Sequence, residues 1–404
     1  MGDASSQAPH DRDSTRISPS GPGGNGKLPA LEQRETSRGI AYVRQVSFPL
    51  SRRHGRMPLG DLRWVQPGGL SLLTRDPAVK PMRPADALFL DIETTGLMTG
   101  AGLLVFLVGL GYIRGNRFVV EQHFLKDPAN EPAFLEAILD RWEDFGGIVT
   151  YNGRRFDRPR ILDRIQFQRL NRSVPDGYHL DLFSLARRVW RGEFDSLSLV
   201  DLEAGLLGYV REDDMPGALC PAAYAAYLRG DEGPIRDVFR HNLEDILSLA
   251  VLLIRADRVS HSPSGPYEEA ALAMGLEDAG KVSDALALYG SALKHLPSGL
   301  PTRGHRRRAA ALYRRCGEIG RASEIWDELW KEGDVRSARQ LAIALEHRFG
   351  NLKRAEQIAR EALRFMQDRD ARGSRALRDW EKRLARIRKK RAALRQGPAR
   401  GRSR

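Results

Sequence analysis

In the stretch Leu88-Phe-Leu-Asp91-Ile-Glu93-Thr-Thr-Gly96-Leu97, an apolar run ends in two acids separated by one residue. Residues two apart on a strand share a face, so Asp91 and Glu93 project together from its end. Adjacent carboxylates repel, and a hard divalent cation is the natural neutraliser of such a pair. The bland alternative is an exposed edge strand with two solvated acids. It fits poorly, because the flanking residues are those of a buried strand and Thr-Thr-Gly follows at once.

Downstream, the apolar segments 103–113 and 118–124 flank Arg114-Gly-Asn-Arg117, a hairpin signal. Residues 132–142 have helical spacing, 148–151 read as a short strand, 156–170 as an amphipathic helix and 178–182 as a further strand, with helices to about 256. Consecutive strands followed by alternating helix and strand predict an α/β domain with mixed strand order. Two more segments of it carry acids. Tyr151-Asn152-Gly153-Arg-Arg-Phe156-Asp157 joins strand to helix, where a lone Asp is most often a cap or first-turn acid. His241-Asn-Leu-Glu-Asp245 lies within a helix predicted over 235–254, with His241 and Asp245 one turn apart on one face. Alone, that pair reads as an ordinary surface hydrogen bond.

The last third is helical and repetitive. Gly280-Lys-Val-Ser-Asp-Ala285, Gly317-Glu-Ile-Gly-Arg-Ala322 and Gly350-Asn-Leu-Lys-Arg-Ala355 share a Gly-x-x-x-x-Ala core, with starts 37 and then 33 residues apart. Gly suits the turn between paired helices and Ala their close contact. The pattern resembles about three tetratricopeptide repeats; a plain helical bundle is the alternative.

A chain of 404 residues predicts two or three domains. The boundaries expected are a Ser/Gly/Pro-rich disordered tail over 1–38, an N-terminal flap over 39–85 packed on the α/β domain, that domain over 86–257, repeats over 265–366 and a basic helical tail over 367–404. Cys220 and Cys316, the only two cysteines, exclude a disulfide framework or a cysteine zinc knuckle. Apolar runs at 101–112 and 246–254 are too short to span a membrane, and no secretory signal is visible, so a cytoplasmic protein without membrane attachment is expected. The opening Met-Gly-Asp-Ala-Ser-Ser fits a myristoylation pattern and is read as coincidence. Of the net charge of +13, the segment 382–404 supplies eleven Lys and Arg and no acid. Leu377, Trp380, Leu384, Ile387 and Leu394 share one helical face there, so the tail is expected to lie along phosphates, with a merely solvated tail as the main alternative and an anionic membrane the lesser one.

Taken together, Asp-x-Glu-Thr-Thr-Gly, Asn-x-x-x-Phe-Asp and His-x-x-x-Asp occur in order at strand end, helix start and mid-helix. This resembles the DEDD superfamily of 3′→5′ exonucleases and, more closely, the bacterial YprB-type ribonuclease H-like proteins. His179-Leu-Asp-Leu-Phe183, Leu199-Val-Asp-Leu-Glu-Ala-Gly-Leu-Leu-Gly208 and the residues around His241 carry the closer match. The resemblance implies an RNase H-like fold, a mixed five-stranded sheet flanked by helices, followed by an all-α tetratricopeptide-like domain. It implies that Asp91, Glu93, Asp157 and Asp245 hold two divalent ions, Mg²⁺ or Mn²⁺, across a scissile phosphate, with His241 as general base or water-orienting residue.

By the same resemblance, Thr94, Thr95, Gly96, Leu97, Asn152 and Phe156 would meet the terminal nucleotide. The expected partner is nucleic acid, DNA or RNA, entered at a single-stranded 3′ end; the repeats would offer a protein-binding surface. One departure stands out. Three residues separate His241 from Asp245, the spacing the family shows with Tyr, where members with His usually have four. Asp181 reads as structural, and Glu244, Asp213 and Asp214 as solvated surface acids. The competing expectation is a catalytically silent nucleic-acid-binding adaptor acting through repeats and tail; a third is endonucleolytic cutting at the same site.

Overall fold

The computed structural model of the protein describes residues 28–96, 102–368 and 375–396. The described residues fall into two compact units, divided between Ser264 and Gly265. In the first, the strands are β1 (Glu32–Thr36), β2 (Gly39–Pro49), β3 (Ala87–Thr94), β4 (Val105–Arg114), β5 (Arg117–Phe124), β6 (Gly147–Thr150) and β7 (Tyr178–Asp181). They form one sheet in the order β1-β2-β5-β4-β3-β6-β7. β3 pairs parallel with β6, and β6 with β7, while the other pairs are antiparallel. The mixed sheet expected from the sequence is therefore present as β3 to β7, extended by two strands from the N-terminal segment.

That extension corrects the reading of residues 28–38 as disordered. β1 gains a full backbone ladder against β2, and Arg34 on it donates to the buried Glu121 at 3.3 Å. A polar segment that cannot form a core by itself is ordered by an edge that supplies hydrogen bonds and a buried counter-charge. Residues 1–27, with the myristoylation pattern, lie outside the described residues. The flap is likewise part of the same body: β2 is a sheet strand, and a short ribbon of Arg53–His54 against Met57–Pro58 follows it.

The longer helices of this unit are α1 (Pro67–Thr74), α2 (Glu131–Trp142), α3 (Asp157–Phe167), α4 (Leu182–Val189), α5 (Cys220–Leu228) and α6 (Ile235–His261). Alternation along β5 sets the layers. Glu121 receives hydrogen bonds from Arg141 on α2, whereas Gln122 donates to Asn242 on α6, so α2 and α6 cover opposite faces. α6 is apolar and buried almost all round through its middle, as a helix enclosed by protein on every side must be. Two glycines let it reach the sheet. A Cβ on Gly109 would lie 2.4 Å from Asn242 Oδ1, and one on Gly111 2.4 Å from Ile246 Cγ2.

The second unit is all-helical: α7 (Pro266–Asp278), α8 (Val282–Ala292), α9 (Leu300–Arg315), α10 (Ile319–Lys331), α11 (Val335–His347), α12 (Leu352–Gln367) and α13 (Arg375–Gln396). Gly280, Gly317 and Gly350 all take positive φ in turns between helices, and Ala285, Ala322 and Ala355 are fully buried. Gly333 (φ 82°) and the buried Ala338 repeat the same code between α10 and α11, an instance missed in the sequence.

The basic tail differs from its expectation. Leu377, Trp380, Leu384 and Ile387 are buried and only Leu394 is exposed, because α13 packs against α12. Glu346 pairs with Arg386 and Lys390, each at 2.7 Å, and Glu356 with Arg391 at 2.6 Å. The apolar face assigned to an outside surface closes this unit, and part of the positive charge is balanced within it. No helix among the described residues is long and apolar enough to cross a membrane.

Candidate active site

β3 delivers Asp91 and Glu93 toward α6. Asp91 sits directly across from Gly109 in the β3/β4 ladder, and Asn242, lodged over that glycine, donates to Asp91 Oδ2 at 2.9 Å. The ladder shifts register between Glu93 and Thr94, a bulge that ends pairing and re-aims the chain. Thr94 Oγ1 then donates to the Gly96 carbonyl at 2.8 Å, and Thr95 Oγ1 accepts from Leu104 N at 3.0 Å. Leu97 lies outside the described residues.

Asp157 opens α3 from a shaped loop. Asn152 takes the left-handed conformation at φ 65°, which Asn tolerates better than most residues. Its N–H donates to Asp181 Oδ1 at 3.0 Å, and Asp181 also accepts from Phe183 N at the start of α4. Asp181 thus ties the loop to the next helix. At Gly153 a Cβ would lie 2.5 Å from Asp157 Oδ2, so glycine is required for the carboxylate to sit where it does. Phe156 packs its ring partly into the core beside Asp157.

One carboxylate oxygen each from Asp91, Glu93 and Asp245 lie within 4.8 Å of one another. Asp157 stands outside that tight triplet but within its field. Burial, reinforced by Asp181, Glu93 and Asp245, holds its carboxyl well above the ordinary range. Burial and then the charges of Asp245 and Asp157 do the same to Asp91, and burial together with Asp91 pushes Glu93 up to about 8. Such mutually raised acids need cationic charge to ionise together. The donor set, all hard oxygen, suits Mg²⁺ or Mn²⁺.

His241 lies beside them, with Nε2 3.4 Å from Asp245 Oδ2 and 3.9 Å from Glu93 Oε1. Its Nδ1 is held by Asp214 Oδ1 at 2.9 Å. Burial works against its charge, yet Asp214, Asp245 and Glu93 raise it to about 9. A general base needs the neutral ring, so that role requires cationic charge at the acids that draws the value back down.

Several partners were not foreseen. Arg211, buried, donates to Asp245, to Glu203 Oε2 at 2.7 Å and to Asp214 Oδ2 at 3.3 Å. Glu244 is buried 3.7 Å from the same guanidinium. The reading of Glu244 and Asp214 as solvated acids is therefore corrected: Arg211 and His241 give them buried cationic partners. Asp213 is exposed as expected. Behind this network, Ser248 bonds Glu203 and stands 2.7 Å from Nε2 of the buried His54 in the flap. Cys220, at the start of α5, meets Glu93 and His241. The pair Gly109-Leu-Gly111 in an apolar strand was a legible sign that a helix comes close. Nothing in the sequence singles out Arg211.

Compared with known proteins, residues 88–256 match the RNase H superfamily. The uncharacterized protein YprB of Bacillus subtilis (strain 168) is 30% identical over 337 residues, covering 80% of each chain. Among solved structures, the family B DNA polymerase from the hyperthermophilic archaeon Pyrobaculum calidifontis aligns with a TM-score of 0.33 and 18% identity, over 51% of this chain and 29% of the polymerase.

Proposed function

The chain belongs to the YprB family and carries an RNase H-like domain, and from that premise we propose that it is a metal-dependent 3′→5′ exonuclease acting on DNA or RNA. The observation that carries this is the convergence of Asp91, Glu93, Asp157 and Asp245 from one strand and two helices, with His241 beside them. In this reading the four acids hold two divalent ions, Mg²⁺ or Mn²⁺. Bound there, such ions supply Lewis-acid stabilisation of a phosphodiester and lower the pKa of the attacking water.

The protein's own residues do the rest. Asn242 fixes Asp91, Asp214 fixes the ring of His241, and Asp181 fixes the loop that presents Asp157. His241 orients or accepts a proton at Nε2. The turn at Thr94, Thr95 and Gly96, with Leu97, and the loop residues Asn152 and Phe156, would meet the terminal nucleotide. The exposed Arg155 next to Asp157 offers a phosphate contact, which positions a strand without reading its sequence. We assign residues 86–257 to the nuclease domain with 39–85 as its flap, 265–366 to tetratricopeptide-like repeats offering a protein surface, and 367–404 to a basic tail whose described helix, Arg375–Gln396, packs on the repeats.

A second reading has an observation of its own. Arg211 already neutralises Asp245, which favours a catalytically silent adaptor. One experiment separates the two: 5′-labelled single-stranded DNA and RNA oligomers with Mg²⁺ or Mn²⁺, wild type against Asp91→Ala. The exonuclease yields a ladder shortening from the 3′ end that the variant lacks. Oligomers bound but uncut by the wild type would establish the adaptor, and internal cuts would make the site endonucleolytic.

A further inference from the structure

The hard oxygen set is not the only donor set at this site. Cys220 Sγ, a Glu93 carboxylate oxygen and a His241 ring nitrogen also lie within 4.8 Å of one another. Cys220 is fully buried and Glu93 is 8% exposed. The thiol hydrogen-bonds Glu93, so the sulfur and the carboxylate already face each other.

The orientation of His241 is the second, independent observation. Asp214 holds Nδ1 at 2.9 Å, and Nε2 faces Glu93 and Asp245. Arg211 Nη1 also lies 3.1 Å from Nδ1, so that nitrogen is occupied by outer-shell partners and Nε2 is the one turned toward Glu93, the orientation seen in metal-binding histidines. Gly217, three residues after Asp214 and three before Cys220, passes close to the ring: a Cβ there would lie 3.5 Å from Nε2.

We propose that Glu93, Cys220 and His241 form a three-ligand site for one thiophilic divalent ion of the Zn²⁺ class, whose fourth position is left to water. Sulfur, imidazole and carboxylate together are the donors such ions select, whereas Mg²⁺ does not take sulfur. Ligation displaces the thiol proton and the proton on Nε2, as metal binding at Cys and His generally does. Glu93 belongs to both donor sets, so an ion held by Cys220 draws Glu93 away from the hard-ion site. The ligation itself stands apart from the nuclease reading; only the antagonism between the two ions rests on it.

The test exploits the chain's having just two cysteines. Cys316 is exposed and lies in the other unit. Full-length Cys316→Ser protein is titrated with Co²⁺ in the absence of nucleic acid, and the thiolate-to-cobalt charge-transfer absorption is followed. A band saturating at one ion per chain, and bleached by one equivalent of Zn²⁺, is expected. It can come only from Cys220, and His241→Gln in the same background should weaken the ion's binding by at least tenfold. A band absent from Cys316→Ser protein, or untouched by His241→Gln, overturns the site. Mn²⁺ binding, read separately by its paramagnetic resonance, should fall as Zn²⁺ is added. If both ions bind together at full occupancy, the antagonism is wrong. None of these readouts needs activity, so an inert enzyme would count against the nuclease reading and leave this one standing.

Discussion

Arg211 donates to Asp245 while its side chain is only 2% exposed. The same guanidinium holds Glu203 and Asp214 and lies close to Glu244. Burial opposes its charge, but Asp245 and Glu203 outweigh burial and keep it firmly protonated. One buried cation therefore ties Asp245 of the candidate site to three acids behind it. Removing one partner of such a pair strands uncompensated charge and costs roughly 3–5 kcal/mol. Arg211→Met should lower the denaturation midpoint by an amount of that order. Adding Glu203→Gln should recover part of the loss, because one stranded carboxylate is gone. If the double variant is as unstable as additivity of the single losses requires, the two residues are not coupled as the contacts imply.

Asn242 works by contact with both neighbours at once. Its amide donates to Asp91 Oδ2 and its carbonyl accepts from Gln122 Nε2, each at 2.9 Å. Asn242→Ala leaves Gln122 and Asp91 each short of a bond, a cost of about 1–3 kcal/mol. Gly109→Ala should do similar damage from the other side, since its Cβ would meet Asn242 Oδ1 at 2.4 Å. Overpacking of that kind costs about 1–3 kcal/mol. Both variants should unfold earlier in chemical denaturation and show weaker Mn²⁺ stabilisation than wild type. Full Mn²⁺ stabilisation in Asn242→Ala would mean that Asp91 does not depend on this bond.

Much of this arrangement was legible in the sequence, and the reasons are physical. Alternation on a short buried strand placed Asp91 and Glu93 on one face, and i,i+4 spacing placed His241 and Asp245 together, because both depend only on local geometry. Arg211 and Cys220 were not legible. Arg211 reaches the site from an irregular segment, and Cys220 from the very start of α5, so neither side chain's direction is set by a periodicity readable in the sequence. β1 was missed for a related reason. β2 is its immediate hairpin partner, but Glu121 and the β5 strand that hold the hairpin in the sheet are distant in sequence, and an edge strand of polar residues looks like a tail until they are in place. In the tail, periodicity found the apolar face correctly but could not say what covers it.

Asp91→Asn tests the repulsion directly. Asp91 is buried beside Asp245 and Asp157, whose charges raise its pKa after burial itself. Replacing it by a neutral isostere relieves that repulsion and keeps the shape. In the presence of chelator, the variant should unfold at a higher temperature than wild type. With millimolar Mn²⁺ the order should reverse, since only wild type gains from the ion. A variant less stable than wild type with chelator would show that the acids are not in strain against each other.

The pH dependence has a definite sign. Glu93 holds its proton to about 8 in the folded chain against 4.5 ordinarily. Between those values the folded state binds more protons than the unfolded, so its contribution to stability falls as pH rises. His241, raised from 6.5 to about 9, contributes stability that is complete below about 6.5 and lost as pH rises through about 9. Both groups act in the same direction. With chelator present, the unfolding temperature should decline from pH 5 to pH 9. Mn²⁺ favours the ionised carboxylates, so its stabilising increment should grow over the same window and flatten the decline. Thermal unfolding across that range, with chelator and with Mn²⁺, measures both curves. Parallel curves would mean that the ion does not bind where Glu93 and His241 titrate, and the acids would then have to be neutralised from within the chain, by Arg211.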